Sequence, residues 1–187
     1  MKQKKKRMAG ALFTALFLFL FSCASVQLSK EKLAEAEKHF NYGTLNLEKG
    51  LYDQAIPDFN KAIDIDPRFA EAYLNRGIAY KHKDLYDLAI ADYSKVIELN
   101  PKDVRAYCNR GNALSERGHY DRAIADYSKA LELASNDGRI YYNRAVAYYY
   151  LKDYDKSWTD VAGAKGLDYP VPTGFIEDLR KASGRQN

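Results

Sequence analysis

Four series of residues recur at one constant interval of 34, and this period constrains the fold more than any other property of the chain. Gly43, Gly77, Gly111 and Ala145 form one series, and Tyr52, Tyr86, Tyr120 and Tyr154 a second. Ala55, Ala89, Ala123 and Ser157 form a third, and Asp58, Asp92, Asp126 and Asp160 a fourth. A period of this length belongs to stacked helix pairs, each of which can bury its apolar face only against its neighbours. Such arrays display a surface for a partner more often than they build an active site.

The second unit shows why each half is a helix. Ala70, Tyr73, Leu74, Gly77 and Tyr80 are spaced by threes and fours, as are Leu85, Tyr86, Ala89, Ile90, Tyr93, Val96 and Ile97. Each run gives one apolar stripe along a helix. His82, Lys83 and Asp84 make a polar break between the runs, and Asn100-Pro101 ends the unit because proline cannot continue a helix. A glycine inside a helix costs about 1 kcal/mol relative to alanine, so Gly43, Gly77 and Gly111 require a compensating close contact between paired helices. Ala145 in the fourth unit points to a demand for smallness more than for an unusual backbone angle.

This pattern resembles the tetratricopeptide repeat family. The positions carrying the resemblance are Tyr73, Arg76-Gly77, Tyr80, Ala89, Tyr93 and Pro101 in the second unit, and Tyr107, Arg110-Gly111, Leu114, Ala123 and Tyr127 in the third. The first unit has His39, Tyr42-Gly43, Ala55, Phe59 and Pro67, with Asn46 where a tyrosine is expected. The fourth departs further, with Ser157 for the small alanine, Val161 for the aromatic and Tyr169-Pro170 for the closing proline; Ser135 replaces proline before it. The resemblance implies an all-α, right-handed superhelical solenoid of about four helix pairs plus a C-terminal capping helix. The repeats are expected at about 36–69, 70–103, 104–137 and 138–169 within a domain at 29–169, with a cap and tail at 170–187. Ser29 is expected to cap the first helix, and Thr173 the last, whose Phe175, Ile176 and Leu179 would cover the open end before Gly184 stops it.

The chain begins differently. Of its 29 basic residues, Lys2, Lys4, Lys5, Lys6 and Arg7 precede Cys23 with no acid among them, so the remainder is close to neutral against 25 acidic residues. The basicity therefore does not describe the repeat surface, and no nucleic-acid partner is expected. The uncharged run from Met8 to Phe21, followed by Ser22, Cys23 and Ala24, reads as a targeting segment over 1–22. Leu20-Phe21-Ser22-Cys23 resembles a bacterial lipobox, although Phe21 departs from the small or β-branched residue usual there. The resemblance implies that Cys23 is lipidated, with 23–28 as a linker, and that the protein is held at a membrane of the bacterial cell envelope, on its periplasmic or cell-surface side. An ordinary secretory signal and an uncleaved anchor are the alternatives, since Met8 to Val26 approaches the length of a short spanning helix. Cys108 is the other cysteine and reads as a small apolar helix residue.

Reactive constellations are not evident. There is no glycine-rich phosphate loop, paired-histidine zinc helix or nucleophile elbow. His39, His82 and His119 fall at unrelated repeat positions, and the recurring aspartates belong to the architecture because catalytic pairs are local. Trp158 reads as packing near the C-terminal cap. The expectation is a protein that is not an enzyme, has no cofactor, metal or small-molecule substrate, binds a protein or peptide partner, and touches the membrane through its N-terminal lipid. A structural subunit of an envelope assembly is the alternative, and an envelope enzyme a disfavoured third.

Two structural expectations follow. Arg76, Arg110 and Arg144 follow Asp58, Asp92 and Asp126 at one constant spacing, so each arginine is expected to reach back to the preceding repeat's aspartate. By the family's register, the first helices line a concave groove with Phe40, Thr44, Leu74, Ile78, Asn109, Asn112, Tyr142, Asn143, Val146, Tyr149 and Tyr150, rimmed by Arg105 and Arg139. Tyrosine suits an interface because it joins rigid apolar area to one polar tip, but aromatics in a last repeat also serve simply to cover it. The family's chaperone-tail binders hold a terminal carboxylate with lysines, asparagines and an arginine. Asn112 and Asn143 match asparagine positions, whereas Cys108 stands where the first lysine would be, so strict carboxylate recognition is not expected.

Overall fold

The computed structural model describes residues 29–134 and 136–185. The lipobox-like segment and Cys23 lie outside the described residues. Among those described, every regular element is helical: α1 (29–48), α2 (Tyr52–Ile65), α3 (Ala70–His82), α4 (Tyr86–Leu99), α5 (Val104–Glu116), α6 (Tyr120–Leu133), α7 (Gly138–Tyr150), α8 (Tyr154–Gly166) and α9 (Thr173–Ser183). Consecutive helices pack in order, and α3 also touches α5 and α5 touches α7. The result is an all-α superhelical solenoid whose odd-numbered helices form one continuous layer.

The turn inside each pair is set by one left-handed residue. Gly50, Asp84, Gly118 and Lys152 all have positive φ, and the next residue's N–H reaches back five positions, as in Leu85 to Tyr80 and His119 to Leu114. This is the Schellman closure that satisfies the last carbonyls of a helix. At the other ends, Asp103, Asp137 and Asp153 accept hydrogen bonds from the N–H groups of Ala106, Arg139 and Lys156, capping α5, α7 and α8. Ser29 already lies within α1, and α9 begins at Thr173 with Pro172 in the cap position, so neither acts as the expected cap. Gly184, in the left-handed region, ends α9 as expected.

The helical glycines are explained by the rings facing them. A Cβ on Gly43 would lie 2.7 Å from Phe59, one on Gly77 2.6 Å from Tyr93, and one on Gly111 2.7 Å from Tyr127. These rings are fully buried, as are the small residues Ala55, Ala89 and Ala123 of the same helices. In the fourth repeat the glycine becomes Ala145 and the ring becomes Val161, both buried in one cluster with Leu179 of α9.

The arginine ladder differs from the sequence expectation. Arg76 donates through Nε and Nη2 to Asp92 at 2.8 and 2.7 Å, Arg110 does the same to Asp126, and Arg144 to Asp160. Each bidentate pair therefore joins the two helices of one repeat instead of bridging to Asp58, Asp92 or Asp126 of the preceding one. The guanidinium does cross the junction, but through Nη1, which donates to Asn60, Ser94 and Ser128 respectively. Asp58, lacking an arginine at position 42, is left with Asn46 and the Nδ1 side of His39, each at 3.5 Å. Helix α9 continues the register: Arg185, one full repeat after Leu151, pairs with Asp155 at 2.7 Å, and Trp158 donates to Ser183. It is the first helix of a fifth repeat that has no second helix among the described residues. Leu179, at the small-residue position, is fully buried because no facing ring excludes it.

Candidate partner-binding groove

The odd-numbered helices carry the groove residues because positions separated by three and four along each helix turn toward the same side, and the repeat register copies them from α3 to α5 to α7. Two cavities open there. One of roughly 380 Å³ is lined by Leu74, Asn75, Ile78, Val104, Arg105, Cys108, Asn109, Asn112, Asp137, Arg139, Ile140 and Asn143. The other, roughly 350 Å³, is lined by Lys81, Tyr86, Asn112, Ser115, Glu116, Tyr127, Tyr142, Asn143 and Val146. Asn112 and Asn143 border both, so the two cavities meet at these amides.

Most of the expected groove residues are brought together here: Leu74, Ile78, Arg105, Asn109, Asn112, Arg139, Tyr142, Asn143 and Val146. Four go elsewhere. Phe40 packs against Phe59 and Phe69, with ring centroids 6.0 and 4.8 Å away. Thr44 accepts from the Asn75 amide at 3.3 Å. Tyr149 meets Phe175 of α9 edge-on at 5.6 Å. Tyr150 stacks on Tyr120 at 4.8 Å across the junction between repeats three and four. Tyr142 is shared, since it lines a cavity and also meets Tyr169 and Phe175. Replacing Tyr142 and Tyr149 together would therefore loosen the cap as well as alter the groove.

The polar network fixes the centre of the site. Asn112 Oδ1 accepts from Tyr127 Oη at 2.8 Å and from Asn143 Nδ2 at 2.9 Å, so these three groups orient one another. The Asn109 side chain has no such partner among the described residues and is available to a ligand. Beside it, burial pushes the Cys108 thiol up to about 11, keeping it neutral where a carboxylate clamp would place a lysine.

The rim arginines are already paired. Arg105 donates to Glu71 of the preceding repeat and to Asp103, both at 2.7 Å, and these bonds hold its pKa above the usual value. Arg139 is held by Asp137 at 2.7 Å. Lys81 and Glu116 have no ion-pair partner among the described residues, so the free charges of the groove sit at its second cavity. Sequence reasoning missed both, and neither belongs to a recurring series. Asn75 was also missed, but it had a signal: Asn41, Asn75, Asn109 and Asn143 recur at the repeat spacing.

Among the described residues there is no cluster of three or more metal-ligating side chains, and no helix is long and apolar enough to cross a membrane.

Comparison with known proteins agrees with this geometry. A tetratricopeptide repeat model matches residues 70–103 and 104–137, and a related repeat model matches 43–84. A search of curated protein sequences finds no match. Among solved structures, MamA 41-end from Desulfovibrio magneticus RS-1 is similar at a TM-score of 0.74 and 22% identity, covering 81% of this chain and 85% of that one. The Arabidopsis OM64 TPR domain is similar at 0.61 and 24%, covering 62% and 96%. The first TPR of Spaghetti (RPAP3), bound to an HSP90 peptide, is similar at 0.62 and 27%, covering 64% and 94%. With the repeat models together covering residues 43–137 and the solenoid continuing through the fourth pair, the chain belongs to the tetratricopeptide repeat family.

Proposed function

We propose that the protein is a membrane-tethered interaction module that holds a segment of a protein partner across the inner faces of α3, α5 and α7. The observation carrying this reading is the junction of the two cavities at Asn112 and Asn143. It gives a continuous polar floor flanked by Leu74, Ile78, Ile140 and Val146. Apolar walls with a few convergent amides suit an extended or helical segment that buries aliphatic or aromatic anchors. The similar Spaghetti repeat domain carries an HSP90 peptide, which supports a peptide-sized ligand. The neutral Cys108 and the paired Arg105 and Arg139 argue against dependence on a terminal carboxylate. Lys81 is the cation left to meet an acidic residue in the segment. No catalytic role is assigned to any groove side chain.

The tether is Cys23. Each buried methylene contributes about 0.8 kcal/mol, and one acyl chain of myristoyl size holds a protein only marginally, so stable attachment takes more than one chain. The lipoprotein family that the segment resembles supplies two or three. Cys23→Ala is expected to leave the precursor uncleaved and unlabelled by fatty acid. An unsubstituted protein that is soluble after export, with an unmodified N-terminus, would contradict the tether.

The groove is tested by Ile78→Glu combined with Asn109→Leu. Both side chains line the cavity, and because Ile78 also packs on the core around Tyr93, circular dichroism verifies that helicity persists while a partner that co-purifies with the unsubstituted protein from detergent extracts is lost. Retention of that partner would contradict the groove reading.

A further inference from the structure

A recurring ion pair lies at the edge where the first helix of each repeat ends and the second begins. An aspartate in the first turn of α2, α4 and α8 is met there by a cation from the next repeat, always at the same sequence spacing. Asp53 is paired with Lys83, Asp87 with Arg117 at 3.3 Å, and Asp155 with Arg185 at 2.7 Å. The third repeat has the aspartate, Asp121, but position 151, where its cation would stand, holds leucine. Asp121 has no hydrogen bond or ion pair among the described residues, and Leu151 is 40% exposed.

The missing cation leaves a notch. Asp121, Ile124, Tyr148, Leu151, Asp153 and Lys156 enclose roughly 470 Å³, and none of them lines either groove cavity. Lys156 does not take the cation's place, because its Nζ is bound to Asp153 at 2.6 Å and lies over the Tyr148 ring. With Lys156 and Asp153 cancelling, the notch keeps one net negative charge beside an aromatic ring and two aliphatic side chains.

We propose that this notch receives a lysine or arginine side chain of a partner protein. Charge complementarity carries the assignment, since the chain's own cations occupy the corresponding position at three other places in the solenoid. Asp121 takes the charge while Ile124 and Leu151 cover the aliphatic stem. An exposed ion pair alone contributes little, so the partner residue is flanked by apolar neighbours that rest on Leu151. This contact is independent of the groove and would let the protein hold two partner segments at once.

The probe is a fluorescein-labelled peptide, Gly-Ser-Leu-Arg-Leu-Ser-Gly, titrated by anisotropy against the full chain in detergent, with a glutamate-for-arginine peptide as control. Leu151→Lys, which neutralises the notch and removes apolar surface together, is expected to weaken the arginine peptide at least fivefold, and Asp121→Asn, which removes the exposed charge alone, at least twofold, while Asn109→Leu in the groove leaves it unchanged. Leu151→Lys copies the cation that the chain already carries at Lys83, so the fold tolerates it, and circular dichroism verifies this. The proposal is overturned if the arginine peptide binds no better than the glutamate peptide, if Leu151→Lys loses less than fivefold or Asp121→Asn less than twofold, or if Asn109→Leu abolishes binding.

Discussion

The second and third repeats set a ring against a glycine, Tyr93 against Gly77 and Tyr127 against Gly111, whereas the fourth sets Val161 in one cluster with Ala145. The added methyl and the smaller side chain offset each other, which is how a close-packed interior accepts a change of volume. Ser157, replacing the small alanine of the other repeats, donates to the Ala145 carbonyl at 2.8 Å and so stays satisfied while buried. In the fourth repeat, departures at the packing positions are thus compensated in pairs. Leu151 is different: it removes a cation, and none among the described residues replaces it. It is at this exposed departure that a partner's cation is proposed to bind.

The largest effect expected from this comparison concerns the arginine–aspartate pairs. Asp126→Ala leaves the half-buried Arg110 with only the Ser94 hydroxyl and the face of the Tyr107 ring, and should cost about 3 kcal/mol, near the lower end for breaking a buried pair. Asp58→Ala, in the repeat without an arginine, should cost less than about 1 kcal/mol. Chemical denaturation of the two variants measures both. Equal losses would show that the aspartates act through something other than the arginines.

Next is the glycine–ring contact. Gly111→Ala should destabilise by about 2 kcal/mol because the new methyl meets the Tyr127 ring at 2.7 Å. Adding Tyr127→Val, which copies the fourth repeat, should recover part of that loss. No recovery in the double variant would break the idea of paired compensation.

A smaller and opposite pair of effects separates repeats two and three. The buried Tyr127 hydroxyl is satisfied by Asn112, but the corresponding position in repeat two is Ile78, and the Tyr93 hydroxyl has no partner among the described residues. Tyr127→Phe should therefore cost about 1 kcal/mol, whereas Tyr93→Phe should be neutral or stabilising by a similar amount. Melting temperatures moving in the same direction would contradict this.

The smallest effect is one of pH. Burial works to raise the Asp103 carboxyl, but its bonds to Arg105 and the Ala106 N–H prevail and hold it below the usual range; Asp137 is held down chiefly by Arg139. A carboxyl depressed in the folded state stabilises above its unfolded value, near about 3.9, and loses that contribution as pH falls through the folded value. The starts of α5 and α7 should weaken below about pH 4, while α2, α4 and α6, which have no side-chain cap, should not. Asparagine at 103 and 137 should flatten the acid response seen by circular dichroism.

The period and helix pattern made the solenoid legible from the sequence, because packing positions must recur wherever identical units stack. The same period hid the arginine's partner. Asp58 before Arg76 and Asp92 after it are equivalent under the repeat, and either choice strands one aspartate at an end of the array. Only the crossing of the two helices within a pair selects Asp92 for Arg76. The groove was legible where register decides it, as at Leu74, Ile78 and Asn109. It was not legible at Tyr149, because α9 occupies the place of another repeat's first helix and brings Phe175 onto that ring. Lys81 and Glu116 were invisible because non-recurring side chains carry no periodic signal.

The most direct test of the account is photocrosslinking in intact cells from a photoreactive residue placed at position 109, on the floor of the groove, compared with one at position 88, where Leu88 is exposed on the outer helix α4. The groove reading expects a discrete covalent adduct from position 109, lost when Ile78→Glu is added, and none from position 88. An adduct from position 88 with none from position 109 would contradict it and place the partner on the outer surface.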